Sequence, residues 1–157
     1  MKKAIYIVMM FIFILVGCSD ESGSKDLIEY NKEKVISSLS KLEFNPKIPH
    51  LLSFEPTETN VEVKELGRLE TNYLTVTFVN DNQEEITFRA GTTENAIDFT
   101  EEKVNITDNL VGRYGKKDKI KILKWDEDNS YYDLLVDSDS TSKKEILKIA
   151  KSFYRIN

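Results

Sequence analysis

From Val61 onward the chain changes its period, and the new period is two. Val61 and Val63 alternate with Glu62 and Lys64. Leu74, Val76 and Phe78 alternate with Tyr73, Thr75, Thr77 and Val79, and Ile86, Phe88 and Ala90 alternate with Thr87 and Arg89. A strand places successive side chains on opposite faces, so these segments predict antiparallel strands with one buried face. Asn80-Asp81-Asn82-Gln83 is a polar break between two of them and predicts a hairpin loop. Val104 and Ile106 mark another short strand. Ile120, Ile122 and Leu123 run into Trp125, Asp126 to Asn129 turn the chain, and Tyr131 to Val136 return as a second hairpin.

The strands are bracketed by segments of helical period. Asp26 to Leu42 carries apolar residues at Ile28, Val35, Ile36, Leu39 and Leu42, interrupted at Asn31 and Lys32. Asp26 is the expected N-cap, with Glu29 three residues on. At the other end, Ser142 and Glu145 form an S-x-x-E capping box, and Ile146, Ile149, Ala150 and Phe153 make an i, i+3, i+4, i+7 stripe. Lys143, Lys144, Lys148 and Lys151 fall off that stripe, toward solvent. The three prolines, Pro46, Pro49 and Pro56, form a stiff extended connector between the first helix and the first strand. The expected fold is α+β: an antiparallel, curved sheet of five to seven strands, with an N-terminal and a C-terminal helix packed on it.

Ahead of this domain stands a different kind of segment. Lys2 and Lys3 precede the apolar run Ala4 to Val16, which ends at Leu15-Val16-Gly17-Cys18. The run suits the apolar region of an export signal, about 7–15 residues. It falls short of the ~20 that span a bilayer comfortably. A core helix of a small domain would need a polar face, and this run has none. A basic start, an apolar middle and small residues before the sole cysteine resemble a bacterial lipoprotein signal with its lipobox. That resemblance implies cleavage before Cys18 and lipidation of Cys18 by acyl chains such as palmitate, two or more of which hold a protein stably on a membrane. The expected organisation is a signal peptide over 1–17, a lipidated polar tether over 18–25 (Ser19 to Lys25 being polar and aperiodic) and one domain over 26–157. The expected location is the outer face of the cell membrane.

The net charge of −5 becomes more negative once Lys2 and Lys3 are cleaved away. An acidic domain is poorly matched to nucleic acid, which asks for a basic stripe. It is equally ill suited to broad contact with anionic headgroups.

Chemistry is sparse. His50 is the only histidine, and neither a G-x-S-x-G elbow nor a Gly-rich phosphate loop occurs. Asp126, Asp128 and Ser130 fall at positions 1, 3 and 5 of a calcium loop, with Asp137 at position 12. Position 6 is Tyr131 where such a loop needs glycine, so an acidic hairpin turn is the better reading. Gly112 and Gly115, with Arg113 and Tyr114 between them, read as a turn. No catalytic residue, metal ligand or cofactor is expected. The aromatic residues Tyr73, Trp125, Tyr131 and Tyr132 are candidate ligand contacts if the sheet leaves a groove; packing beneath the helices is the competing account.

Two segments are similar to a family of Bacillus-type proteins, the domain of unknown function numbered 4367 (DUF4367). One is Phe44-Asn45-Pro46-Lys47-Ile48-Pro49-His50 through Phe54-Glu55-Pro56, which resembles the family's proline-rich entry, although Leu52-Ser53 stands where a proline is expected. The other is Lys124 to Tyr132 continuing to Ser142 to Ser152, which resembles its closing hairpin and final helix. The resemblance covers most of residues 44–154. It implies an extracytoplasmic, membrane-attached domain of Gram-positive bacteria, akin to curved-sheet lipoprotein carriers and envelope-stress sensors, and no catalytic residues. The expected function is therefore a non-enzymatic module that binds or senses a lipid, a peptide or an envelope protein. The alternatives are an exported hydrolase using His50 and a passive subunit of an envelope complex.

Overall fold

The alternating segments form strands. In the computed structural model, residues 26–65, 72–96 and 98–156 are described; Cys18 and the apolar run before it lie outside them. Seven strands make one antiparallel sheet: β3 (Glu58–Glu65), β4 (Asn72–Val79), β5 (Glu85–Gly91), β6 (Glu102–Asn105), β7 (Val111–Lys117), β8 (Ile120–Glu127) and β9 (Ser130–Asp137). Their spatial order is β3-β4-β5-β9-β8-β7-β6. The sheet is open, with β3 and β6 at its edges. The closing strand β9 inserts between β5 and β8, pairing Phe88 with Leu134 on one side and Leu123 with Leu134 on the other.

The period-two pattern selects one face for burial. Leu74, Val76, Phe78, Ile86, Phe88, Leu123, Leu134 and Val136 are all fully buried on it. Each such side chain contributes about 1.5–3 kcal/mol relative to exposure. The helices α1 (Glu33–Leu39) and α2 (Lys143–Lys151) cover this face. Val35 of α1 and Ile146 and Ile149 of α2 are fully buried against it. Helix α2 begins with the expected capping box: Ser142 accepts from the Glu145 backbone N–H while the Glu145 carboxylate accepts from the Ser142 N–H. This satisfies donors that a helix start leaves orphaned.

The first helix is shorter than its sequence stripe. Residues 28–29 form a strand instead, β1 (Ile28–Glu29), antiparallel to β2 (Leu51–Leu52) in the proline connector. The interruption at Asn31 and Lys32 is where the two conformations part. Asn31 Oδ1 accepts from the Glu33 N–H at 2.9 Å, a local bond that competes with helix. Tyr30 is buried, its hydroxyl donating to the Pro49 carbonyl at 3.0 Å. The connector thus outcompetes helix for residues 28–30, and Asp26 caps nothing: the N-cap position of α1 is Lys32. Ile48 closes the layer by pairing with Tyr154 just after α2.

Turns follow their residue chemistry. Asn80 Oδ1 accepts from the Asn82 and Glu84 N–H groups, both at 3.0 Å, and Gln83 takes a left-handed φ of 59°. The second hairpin turns on Asp128 and Asn129, with φ of 53° and 61°, the two positive values a tight hairpin needs. Gly112 and Gly115 are not a turn: both lie inside β7.

Candidate functional site

Side chains on the sheet's other face alternate with the buried set and read as solvated in the sequence. The loop from β5 to β6 changes their environment. Because β9 and β8 separate β5 from the far edge, the connection must travel across the sheet, and residues 92–96 and 98–100 do so over the face the helices leave bare. Lys124 of β8 donates to the Asn95 carbonyl at 2.8 Å and pairs with Glu94 at 3.2 Å. Arg113 of β7 binds both Glu94 and Asp98. Asn95 donates to the Tyr73 hydroxyl of β4 at 3.0 Å. Gly115 permits the crossing: a Cβ there would sit 2.1 Å from the Phe99 carbonyl oxygen. A glycine inside a strand marks such a close backbone approach.

Beneath this strap lies a buried polar floor. Asp133 of β9 is 2 % exposed and Lys124 is 4 % exposed. Register places Asp133 between Lys124 on β8 and Arg89 on β5, and its carboxylate accepts from the Tyr73 hydroxyl at 3.3 Å. Burial pushes the Asp133 carboxyl above its ordinary range, and the neighbouring Lys124 and Arg89 oppose that rise. Burial likewise raises the Tyr73 phenol, and the Asp133 charge adds to it.

The strap divides the face into two clefts of similar size. One, of about 600 Å³, lies over β7, β8 and β9 and is lined by Val111, Arg113, Asp126 and Tyr131 among others. The second, of about 590 Å³, lies over β3, β4 and β5, with Glu62, Lys64, Thr75 and Arg89 on its walls. Glu94 borders both.

The four aromatic candidates divide between the faces. Tyr73 and Tyr131 lie on the strap face, Tyr131 being 38 % exposed at the rim of the first cleft. Trp125 and Tyr132 point into the core. Their rings stack with centroids 5.1 Å apart, and Phe153 packs edge-on against both. The Tyr132 hydroxyl accepts from the Lys47 N–H. Arg89, Lys124 and Asp133 were not singled out in the sequence. Period-two reading sends them outward; beneath the strap Lys124 and Asp133 are buried and Arg89 is half-buried. The one signal available was Gly115 within an otherwise strand-like run.

His50 lies in the connector with its imidazole 3.3 Å from Glu29 and edge-on to Tyr154. The nearby Ser152 hydroxyl donates to the Ile149 carbonyl and accepts from the His50 and Leu51 backbone N–H groups. Among the described residues no group of three or more His, Cys, Asp or Glu could hold a metal ion. Asp128 lies in the turn between β8 and β9, and Asp137 at the far end of β9, as a hairpin arranges them. No helix among the described residues is long and apolar enough to cross a membrane.

The fold and the strapped face define an α+β domain whose seven-stranded main sheet has one face built for packing and one for polar contact. Residues 56–153 match the family model described as Domain of unknown function (DUF4367), and the chain belongs to that family. The matched unit runs from just before β3 to the end of α2, so β1, α1 and β2 precede it. No curated protein and no solved structure matches the chain.

Proposed function

We propose that this protein is an exported lipoprotein, held at the outer face of the cell membrane through Cys18, whose domain binds an extended polypeptide across its strapped sheet face. The observation that carries the binding half is the pair of clefts flanking residues 92–100, floored by Lys124, Asp133, Arg89 and Tyr73. Their walls offer threonine hydroxyls, carboxylates and guanidinium groups. Such walls suit the backbone amides and mixed side chains of a peptide or an envelope protein segment, and would desolvate at a loss against an acyl chain. The attachment half rests on the lipobox residues Leu15 to Cys18 and the polar stretch Ser19 to Lys25. Seven residues reach at most about 25 Å, which keeps the domain within a short distance of the bilayer.

Native mass spectrometry of the full chain, released from its source membrane in mild detergent, tests the binding half. A co-purifying peptide or polypeptide, lost in a Tyr131→Ala, Arg89→Ala double variant, is the expected result. A retained phospholipid in its place, or a chain that carries only its own anchor, overturns it.

A further inference from the structure

We propose that the β3 edge is a self-association surface, on which two copies of this chain pair antiparallel about a twofold axis through Val63. The proposal does not depend on any ligand in the clefts. Strand β3 has eight residues and pairs only with β4 among the described residues. Its backbone groups must therefore be divided between an inner and an outer row. Asn80 donates its N–H to Glu84, so even-numbered β4 residues address β5. The Val79 carbonyl accepts from Thr57, so odd-numbered ones address β3. Val79 lies opposite Glu58 and Thr75 opposite Glu62. Glu58, Asn60, Glu62 and Lys64 thus face inward, while Thr59, Val61, Val63 and Glu65 present their N–H and C=O groups to the edge. Such a row is a template for another strand.

The edge is guarded at one end. The Lys34 ammonium of α1 donates to the Thr59 carbonyl, so the template is open from Val61 to Glu65. This selects the register. A twofold centred on Val61 would require the Thr59 carbonyl that Lys34 holds. A twofold centred on Val63 requires Val61, Val63 and Glu65 only: Val63 pairs with Val63 of the second copy, and Val61 with its Glu65. That same register sets Glu62 opposite Lys64 of the second copy, and Lys64 opposite its Glu62. Both side chains are exposed, 55 % and 60 %, and at present pair with each other along one strand at 3.0 Å. Opposite charges directly across an antiparallel pair are favourable, and like charges are not. The edge is complementary to itself, which identifies the partner as a second copy of this chain. The opposite edge, β6, has only four residues.

Antiparallel continuation of a sheet places its twofold axis perpendicular to the sheet. The two strapped faces would then look the same way. Glu62 and Lys64 also line the second cleft, so the two copies of that cleft would meet at the seam as one longer groove.

Charge reversal on the full chain tests this without disturbing the core. The wild type should show a concentration-dependent monomer–dimer equilibrium by sedimentation. Glu62→Lys alone sets lysine against lysine, and Lys64→Glu alone sets glutamate against glutamate. Each should weaken dimerisation at least about tenfold. Mixed in equal amounts, the two variants restore both opposed pairs and should recover the dimer, a result that also proves both are folded. A wild type that stays monomeric overturns the proposal. So does a dimer indifferent to both reversals, or a different protein found paired along β3.

Discussion

Trp125 shows how packing inside the sheet holds an aromatic residue that sequence alone leaves open between the core and a groove. It sits beside acidic turn residues, yet it is 5 % exposed, stacked on Tyr132 and capped by Phe153. Trp125→Ala should cost about 3–5 kcal/mol in chemical denaturation, because both rings lose their contact and the sheet cannot collapse into the space. A loss below about 1 kcal/mol would place the indole outside the core. Glu84 is a second informative residue. Burial would raise its carboxyl, but hydrogen bonds from Ser138, Ser140 and Asn80 outweigh that and bring the pKa down to about 2. A folded-state value below the unfolded one gives stability that is present above the ordinary 4.5 and lost as pH falls toward 2. Glu84→Gln should flatten the acid limb of the stability curve within that window. An unchanged limb would mean those hydrogen bonds do not favour the charged form. Asp133 has the opposite sign: its raised folded value makes its contribution less favourable as pH rises above the ordinary carboxylate range.

Between elements, the strap and the caps carry separable roles. Gly115→Ala would set a methyl group against the Phe99 and Thr100 backbone, 2.1 Å and 2.8 Å away. Backbone cannot rotate aside as a side chain can, so the described strap residues, 92–96 and 98–100, must lift. Lifting them pulls Glu94 and Asp98 from Arg113 and uncovers Asp133. The expected outcome is a loss of about 1–3 kcal/mol and faster proteolytic cleavage within 92–100; unaltered cleavage would show that the strap is not held at β7. Ser142→Ala acts at the other face. It removes the hydroxyl that accepts from Glu145 N–H and should cost about 1 kcal/mol of thermal or denaturant stability. It should leave cleavage of the strap unchanged, since α2 lies on the far side of the sheet.

At the scale of the whole molecule, the proposed lipoprotein signal would attach a domain with two unlike faces to a membrane. Cys18→Ala should abolish the lipid-derived mass and either release the protein from membranes or leave it unprocessed. An unchanged mass with unchanged membrane fractionation would remove the lipobox reading. Cleft binding, β3 pairing and the proposed lipid anchor are read by separate experiments, so failure of one leaves the other two standing.

The strands, the closing hairpins and helix α2 were legible because each obeys a local rule. Alternation sends Leu74, Val76 and Phe78 to one side, Asp128-Asn129 accepts positive φ, and Ser142 with Glu145 caps its own helix. The expected α+β class follows from those rules alone. Helix α1 was overextended because the bonds that unwind its first turns come from Leu51 and Leu52, more than twenty residues downstream. The candidate site was hidden for the same reason on a larger scale. Arg89, Lys124 and Asp133 occupy outward positions by sequence, and a half-buried strand looks the same whether its polar face meets water or a returning loop. Local composition determined which residues form strands and where the chain turns. Only the tertiary structure decided that β9 would insert between β5 and β8. That insertion forces the β5–β6 connection over the polar face, burying Lys124 and Asp133 and opening a cleft on either side.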